Sequence, residues 1–233
     1  VSAVVLVHGL YHRPGHFSPV ADRLRATGAH VVVPELHRGS LAADTAAVQA
    51  AVDALDEPPV VLGHSYGGSV ITGLRGAHHL VYLAAFVLDT GESAASLGGA
   101  SRLLRDAIVP DTAGATRVLP ERAGEVFYGD CPAGPATWAT GLLRPQGPGC
   151  GRGAARHHAW KATPSTYVVC ARDKAIDPAL QRALAGRCGS VREWDCGHSP
   201  FVGRPGRVAA LLREVAGTAP TRSNSDSAGF TVV

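Results

Sequence analysis

Residues 58–70 read Pro58-Pro-Val-Val-Leu-Gly-His-Ser-Tyr-Gly-Gly-Ser-Val70. Val60, Val61 and Leu62 are a short apolar run, mostly β-branched, which reads as a buried strand, and Ser69 to Leu74 can continue as helix. Ser65 falls on the bend between them. Gly63 and Gly67 stand two residues to either side of it, where side chains would collide with the neighbouring strand and helix. A nucleophile lifted clear of a sheet on so tight a turn sits at strained backbone angles. In a chain with 28 glycines a G-x-S-x-G pattern can arise by chance, so its weight depends on what surrounds it.

Upstream, residues 3–7 (Ala-Val-Val-Leu-Val) read as a fully buried strand running into His8-Gly9-Leu10-Tyr11. Residues 16–27 place Phe17, Val20, Ala21 and Leu24 three and four apart, an amphipathic helix closed by Gly28. A strand at 30–33 ends at Pro34, and a second helix over 41–55 leads back to Ser65 through Glu57-Pro58-Pro59. Such β-α-β-α alternation with apolar strands predicts an α/β fold: a mostly parallel sheet of about six strands, flanked by helices and joined by right-handed crossovers.

Downstream, 78–83 is the next strand, after which regularity breaks. Residues from about 89 to 164 are rich in Gly, Ala, Pro and Arg, with no clean strand and with helical patterns at 94–107 and near 133–143. The glycines of 147–153 follow no strand, so this stretch reads as a mobile loop and not as a phosphate cradle. A strand at 166–170, a helix at 178–187, a strand at 190–195, the turn Cys196-Gly197-His198-Ser199-Pro200 and a helix at 204–216 complete the pattern. One domain over 1–217 is expected, with 218–233 a disordered tail.

Several features resemble the α/β-hydrolase superfamily, and its small esterase and hydroxynitrile lyase-like branch in particular. They are His-Gly-x after the first strand, Gly-His-Ser-x-Gly-Gly at the bend and Gly-His near the end, and together they span residues 4 to 215. The resemblance implies that 89–164 is a small cap insertion over the active site. A serine hydroxyl needs a base within hydrogen-bond reach, held in the right tautomer by a carboxylate. Where the family places its base, this chain has His198. Where most members carry the acid it has Asp173, with Asp89 at the position a minority uses; Asp177 before Pro178 reads as a helix N-cap, and Asp195 lies too near His198 along the chain. Backbone N–H groups of Leu10 and Tyr66 would form the oxyanion hole. The lyases carry threonine where Gly9 stands and lysine where Ser199 stands, and both departures favour an esterase.

The expected substrate is a small to medium hydrophobic ester, lactone or thioester. Tyr11, Phe127, Tyr128 and Trp138 are its candidate contacts, although the apolar cap residues can equally serve to glue the cap to the core. A perhydrolase, a biosynthetic cyclase or lyase and a slow ligand receptor could share the same residues, whereas a dehalogenase or epoxide hydrolase would need aspartate at 65.

A net charge of +3, with no basic block, points to neither nucleic acid nor an anionic membrane surface. No apolar run approaches a membrane span, and Val1 to Val7 reads as a strand, not a signal, so a cytoplasmic protein is expected. The five cysteines show no C-x-x-C spacing and no disulfide framework, leaving Cys131 with Cys150 as a conceivable pair. No cofactor and no metal is expected; oligomeric state is not legible.

Overall fold

The computed structural model describes residues 3–37 and 39–217. The expected tail, 218–233, lies outside the described residues. The chain runs through β1 (Ala3–Val7), α1 (Ser18–Arg25), β2 (His30–Val32), α2 (Leu41–Asp53), β3 (Val60–His64), α3 (Tyr66–Thr72) and β4 (His79–Leu83). A cap of short elements follows: α4 (Ala94–Leu97), α5 (Arg102–Ala107), β5 (Ile108–Pro110), β6 (Thr116–Val118), α6 (Pro120–Phe127) and α7 (Ala133–Gly141). Regular alternation returns with β7 (Ser165–Cys170), α8 (Pro178–Ala185), β8 (Ser190–Trp194), α9 (Pro200–Gly203) and α10 (Pro205–Gly217).

Six strands form one parallel sheet in the order β2-β1-β3-β4-β7-β8. Helices cover both faces, which is why the inner strands read as unbroken apolar runs. Alternate residues of each strand serve opposite layers. Val4, Leu6 and Leu62 pack with Val20 and Leu24 of α1 and Leu211 and Leu212 of α10. Val5, Val7 and Val61 pack with Val48 and Val52 of α2 and Val70 and Ile71 of α3. β8 is an edge strand and is exposed over most of its length; Arg182 pairs with its Glu193 and Glu214 with its Arg192, charges that blunt a free edge.

Strand order reverses at β1, whose neighbours are β2 and β3. The carboxyl ends of β1 and β3 therefore open on a crevice where open α/β sheets bind ligands. Both His8-Gly9-Leu10 and Ser65 stand there.

The cap differs from expectation. Residues 108–118 form an antiparallel hairpin, with Ile108 opposite Val118 and Pro110 opposite Thr116. Each arm is three residues long and one carries proline, too short for alternation to register. α6 was also not expected, although Pro120 at its start and Ala123, Val126 and Phe127 on its buried face carry the signal. All five cysteines are free, so Cys131 and Cys150 do not pair. Among the described residues no helix is long and apolar enough to cross a membrane.

Candidate active site

The bend after β3 holds Ser65 at φ 55°, ψ −121°, a conformation L-residues seldom adopt. Neighbouring backbone fixes it: Ser65 N–H donates to Leu83 O at 3.2 Å, and Ser65 O accepts from Gly68 N at 3.0 Å and Phe86 N at 3.2 Å. The bracketing glycines are sterically required. A Cβ at Gly67 would lie 2.3 Å from Val7 O, and one at Gly63 would lie 2.6 Å from Gly67 O. Gly9 presses on the serine itself, since a Cβ there would sit 2.9 Å from Ser65 Cβ and 3.2 Å from His64 Nδ1.

The carboxylate in contact with His198 is that of Asp173. His198 Nδ1 and Asp173 Oδ2 are 2.7 Å apart, with both side chains buried. Nδ1–H donating to the carboxylate leaves Nε2 of the neutral imidazole as the unprotonated nitrogen. The other Asp173 oxygen accepts from Ala175 N at 2.7 Å and Ile176 N at 3.0 Å, so the turn after β7 holds the carboxylate by its own backbone. Gln181 Nε2 donates to Asp173 Oδ2 at 2.7 Å, while Gln181 Oε1 accepts from Cys170 N at 2.9 Å.

The rival carboxylates are engaged elsewhere. Asp89 pairs with Lys161 at 2.6 Å on the surface, and that hydrogen bond lowers its pKa to about 2. Asp177 caps α8 by accepting from Ala179 N at 2.8 Å, and Asp195 pairs with Arg172 at 2.7 Å.

Ser65 and His198 line one cavity of about 620 Å³, together with Leu10, Tyr11, Tyr66 and Phe127. Tyr66 is the first residue of α3, whose initial N–H groups have no intrahelical acceptor. Its phenol donates to buried Asp44 Oδ2 at 2.7 Å, tying α3 to α2; burial first and then the Asp44 charge raise the phenol's pKa. Tyr128 and Trp138 do not line this cavity. Tyr128 is buried with its hydroxyl 3.1 Å from His12 Nε2, and Trp138 lies on the outer face of the cap, its ring centroid 6.3 Å from that of His16. Being large and apolar did not separate cavity wall from cap packing.

Three residues that support the site do not stand out as site residues in the sequence, although His64 is a rival base there, set aside as part of its turn. Gln181 is one; its signal is an amide fully buried on the inner face of an amphipathic helix. His64 is another: its Nε2 donates to His198 O at 3.0 Å, pinning the loop that carries the imidazole. His12 is the third, with Nδ1 donating to Leu10 O at 2.8 Å. Burial drives the pKa of His8, His12 and His64 well below the ordinary histidine value, so these rings are neutral supports. Among the described residues no group of three or more His, Cys, Asp or Glu is arranged to hold a metal ion.

Comparison with known proteins places this geometry in context. The alpha/beta hydrolase nvfD of Aspergillus novofumigatus (strain IBT 16806) is 28% identical over 247 residues, spanning 93% of this chain and 97% of its own. A crystal structure of the pyrethroid hydrolase PytH superposes with a TM-score of 0.80 at 23% identity, over 93% of this chain and 98% of that one. Polyneuridine aldehyde esterase gives 0.78 at 17% identity, over 92% and 99%. The model of the Alpha/beta hydrolase family matches residues 4–211, and with the parallel sheet and the serine bend already described, the chain belongs to that family.

Proposed function

We propose that the protein is a serine hydrolase that cleaves hydrophobic carboxylic esters through an acyl-enzyme on Ser65. The observation that carries this reading is the buried His198–Asp173 hydrogen bond beside a cavity into which both Ser65 and His198 face. In the proposed sequence Ser65 Oγ attacks the ester carbonyl while His198 Nε2 takes its proton, and the resulting imidazolium stays paired with Asp173. The N–H groups of Leu10 and Tyr66 receive the developing oxyanion, and His198 then protonates the departing alkoxide. Water, deprotonated by the same nitrogen, attacks the acyl-enzyme and regenerates the serine.

Names of the relatives support hydrolysis: a pyrethroid hydrolase and an esterase share the fold. The mainly apolar wall, with Leu104, Ile108 and Phe127 from the cap, supports a hydrophobic substrate. Five free thiols fit a reducing compartment such as the cytoplasm. The purified chain should turn over short-chain p-nitrophenyl esters and react with a fluorophosphonate probe. Absence of steady turnover, with labelling that persists in Ser65→Ala, would replace this reading with that of a ligand receptor.

A further inference from the structure

The cavity carries a charge pattern that the proposed chemistry does not use. Among the described residues its arginines are Arg105, on α5, and Arg152, at the end of the turn Cys150–Arg152, and no Asp, Glu or Lys lines it. Both arginines are exposed, so these two positions of the wall are open to solvent.

Several arginines elsewhere are tied to carboxylates, among them Arg102 to Asp106, Arg172 to Asp195, Arg182 to Glu193 and Arg187 to Glu92, whereas others, such as Arg75 and Arg156, have no carboxylate partner among the described residues. Among the described residues neither Arg105 nor Arg152 has such a partner. Arg105 Nη1 donates to Ala100 O, which also belongs to the wall, so one arm of the fork is anchored and the remaining donors are left for a ligand. Some polar groups further in are paired with one another or with backbone, while Gln146 Oε1 is buried without a hydrogen-bond partner among the described residues. Tyr11 Oη and Thr116 Oγ1 share a hydrogen bond at 2.9 Å, and Gln146 Nε2 donates to Gly147 O at 3.1 Å. The wall therefore combines an apolar interior with a cationic lip.

We propose that the substrate is a hydrophobic ester bearing a carboxylate remote from the scissile carbonyl, which Arg105 and Arg152 hold at the mouth while the apolar body fills the cavity. Guanidinium forks match carboxylate geometry, and a charge kept at the rim retains most of its water, so the contact costs little desolvation. This rests on the esterase reading. The reaction is ordinary hydrolysis, in which the acyl C–O bond breaks and water supplies OH to the acyl carbon and H to the alcohol.

Two pairs of esters test the idea, one with the anion on each half of the molecule: mono-p-nitrophenyl adipate against p-nitrophenyl hexanoate, and para-hexanoyloxybenzoate against para-hexanoyloxybenzamide. In at least one pair kcat/KM should favour the anion, and the ratio of anionic to neutral ester should fall about 5- to 20-fold in the Arg105→Gln/Arg152→Gln double variant, as expected for two exposed charge contacts of a few-fold each. Raising the salt concentration should shrink the same ratio in the unaltered protein. A ratio at or below one in both pairs, or one that survives the double substitution, overturns the proposal. Binding of the benzoate and benzamide esters to Ser65→Ala protein, followed by calorimetry, decides it without turnover. Tighter benzoate binding that is lost with both arginines supports the lip even if no ester is hydrolysed, and equal binding rejects it even if every ester is.

Discussion

Gln181 Nε2 and His198 Nδ1 converge on the same carboxylate oxygen of Asp173, each at 2.7 Å. The amide therefore helps decide which way the carboxylate faces, while its own oxygen is spent on Cys170 N–H. Gln181→Leu removes that hold and leaves a buried N–H without an acceptor. A drop in kcat of about tenfold or more with KM little changed is expected, together with a loss of about 1–3 kcal/mol in unfolding free energy. A kcat within twofold of the parent would mean that Ala175 and Ile176 N–H position Asp173 unaided.

Ser65 at φ 55°, ψ −121° occupies the mirror image of the extended region, which glycine enters freely and serine does not. Ser65→Gly should therefore abolish ester turnover while raising stability by about 1 kcal/mol, strain relief exceeding the added entropy of the unfolded chain. Ser65→Ala, with the strain retained, should lose comparable activity without that gain. Paired thermal melts of the two variants read the difference, and equal melting temperatures would show the bend to be unstrained.

Gly9 is the position at which the family resemblance separates esterase from lyase, and here it lies against the serine. A Cβ would intrude to 2.9 Å of Ser65 Cβ, so Gly9→Ala should cut kcat by at least about tenfold, through displacement of Ser65 or of the Leu10 N–H. Ester kinetics on this variant with its near-ultraviolet dichroism intact would tie the loss to the site; unchanged kinetics would show that the turn accommodates a methyl group.

Burial lowers the pKa of five neighbouring histidines in the folded chain: His8, His12 and His64 well below 6.5, and His16 and His37 to about 4. Unfolded, each titrates near 6.5, so below that pH the unfolded chain binds more protons than the folded one. Stability is thus complete above about pH 6.5 and declines as pH falls toward 4. Urea unfolding between pH 6 and 5 should show a free-energy slope corresponding to uptake of more than about two protons. A flat slope there would show that the rings are already charged in the fold.

Strands β1, β3, β4 and β7 were legible because burial on both faces writes them as continuous apolar runs. Ser65 and Asp173 could be picked out because they follow such strands, whereas His198, after the exposed edge strand β8, stood out by its Gly-His turn and its place late in the chain. The hairpin at 108–118 was not legible, since three-residue arms with a proline carry no period. Tyr11 and Phe127 reach the cavity while Tyr128 turns toward His12, although Phe127 and Tyr128 are adjacent and chemically alike. Their division depends on where α6 ends, a matter of tertiary packing. Gln181 was hidden for a related reason: an amide on a helix reads as solvent-facing until the carboxylate it serves is located.

The cap adds no strand to the parallel sheet; it meets the scaffold through side-chain packing and a few backbone contacts such as the bridge between Ala100 and Ile176. The cap's share of the cavity wall is thus encoded apart from Ser65, Asp173 and His198, while residues of the scaffold, Leu10, Tyr11, Phe86 and Ile176 among them, supply the rest of that wall. Random diversification confined to codons 94–152 is a route to new ester preferences that leaves the serine, its imidazole and their carboxylate in their original framework.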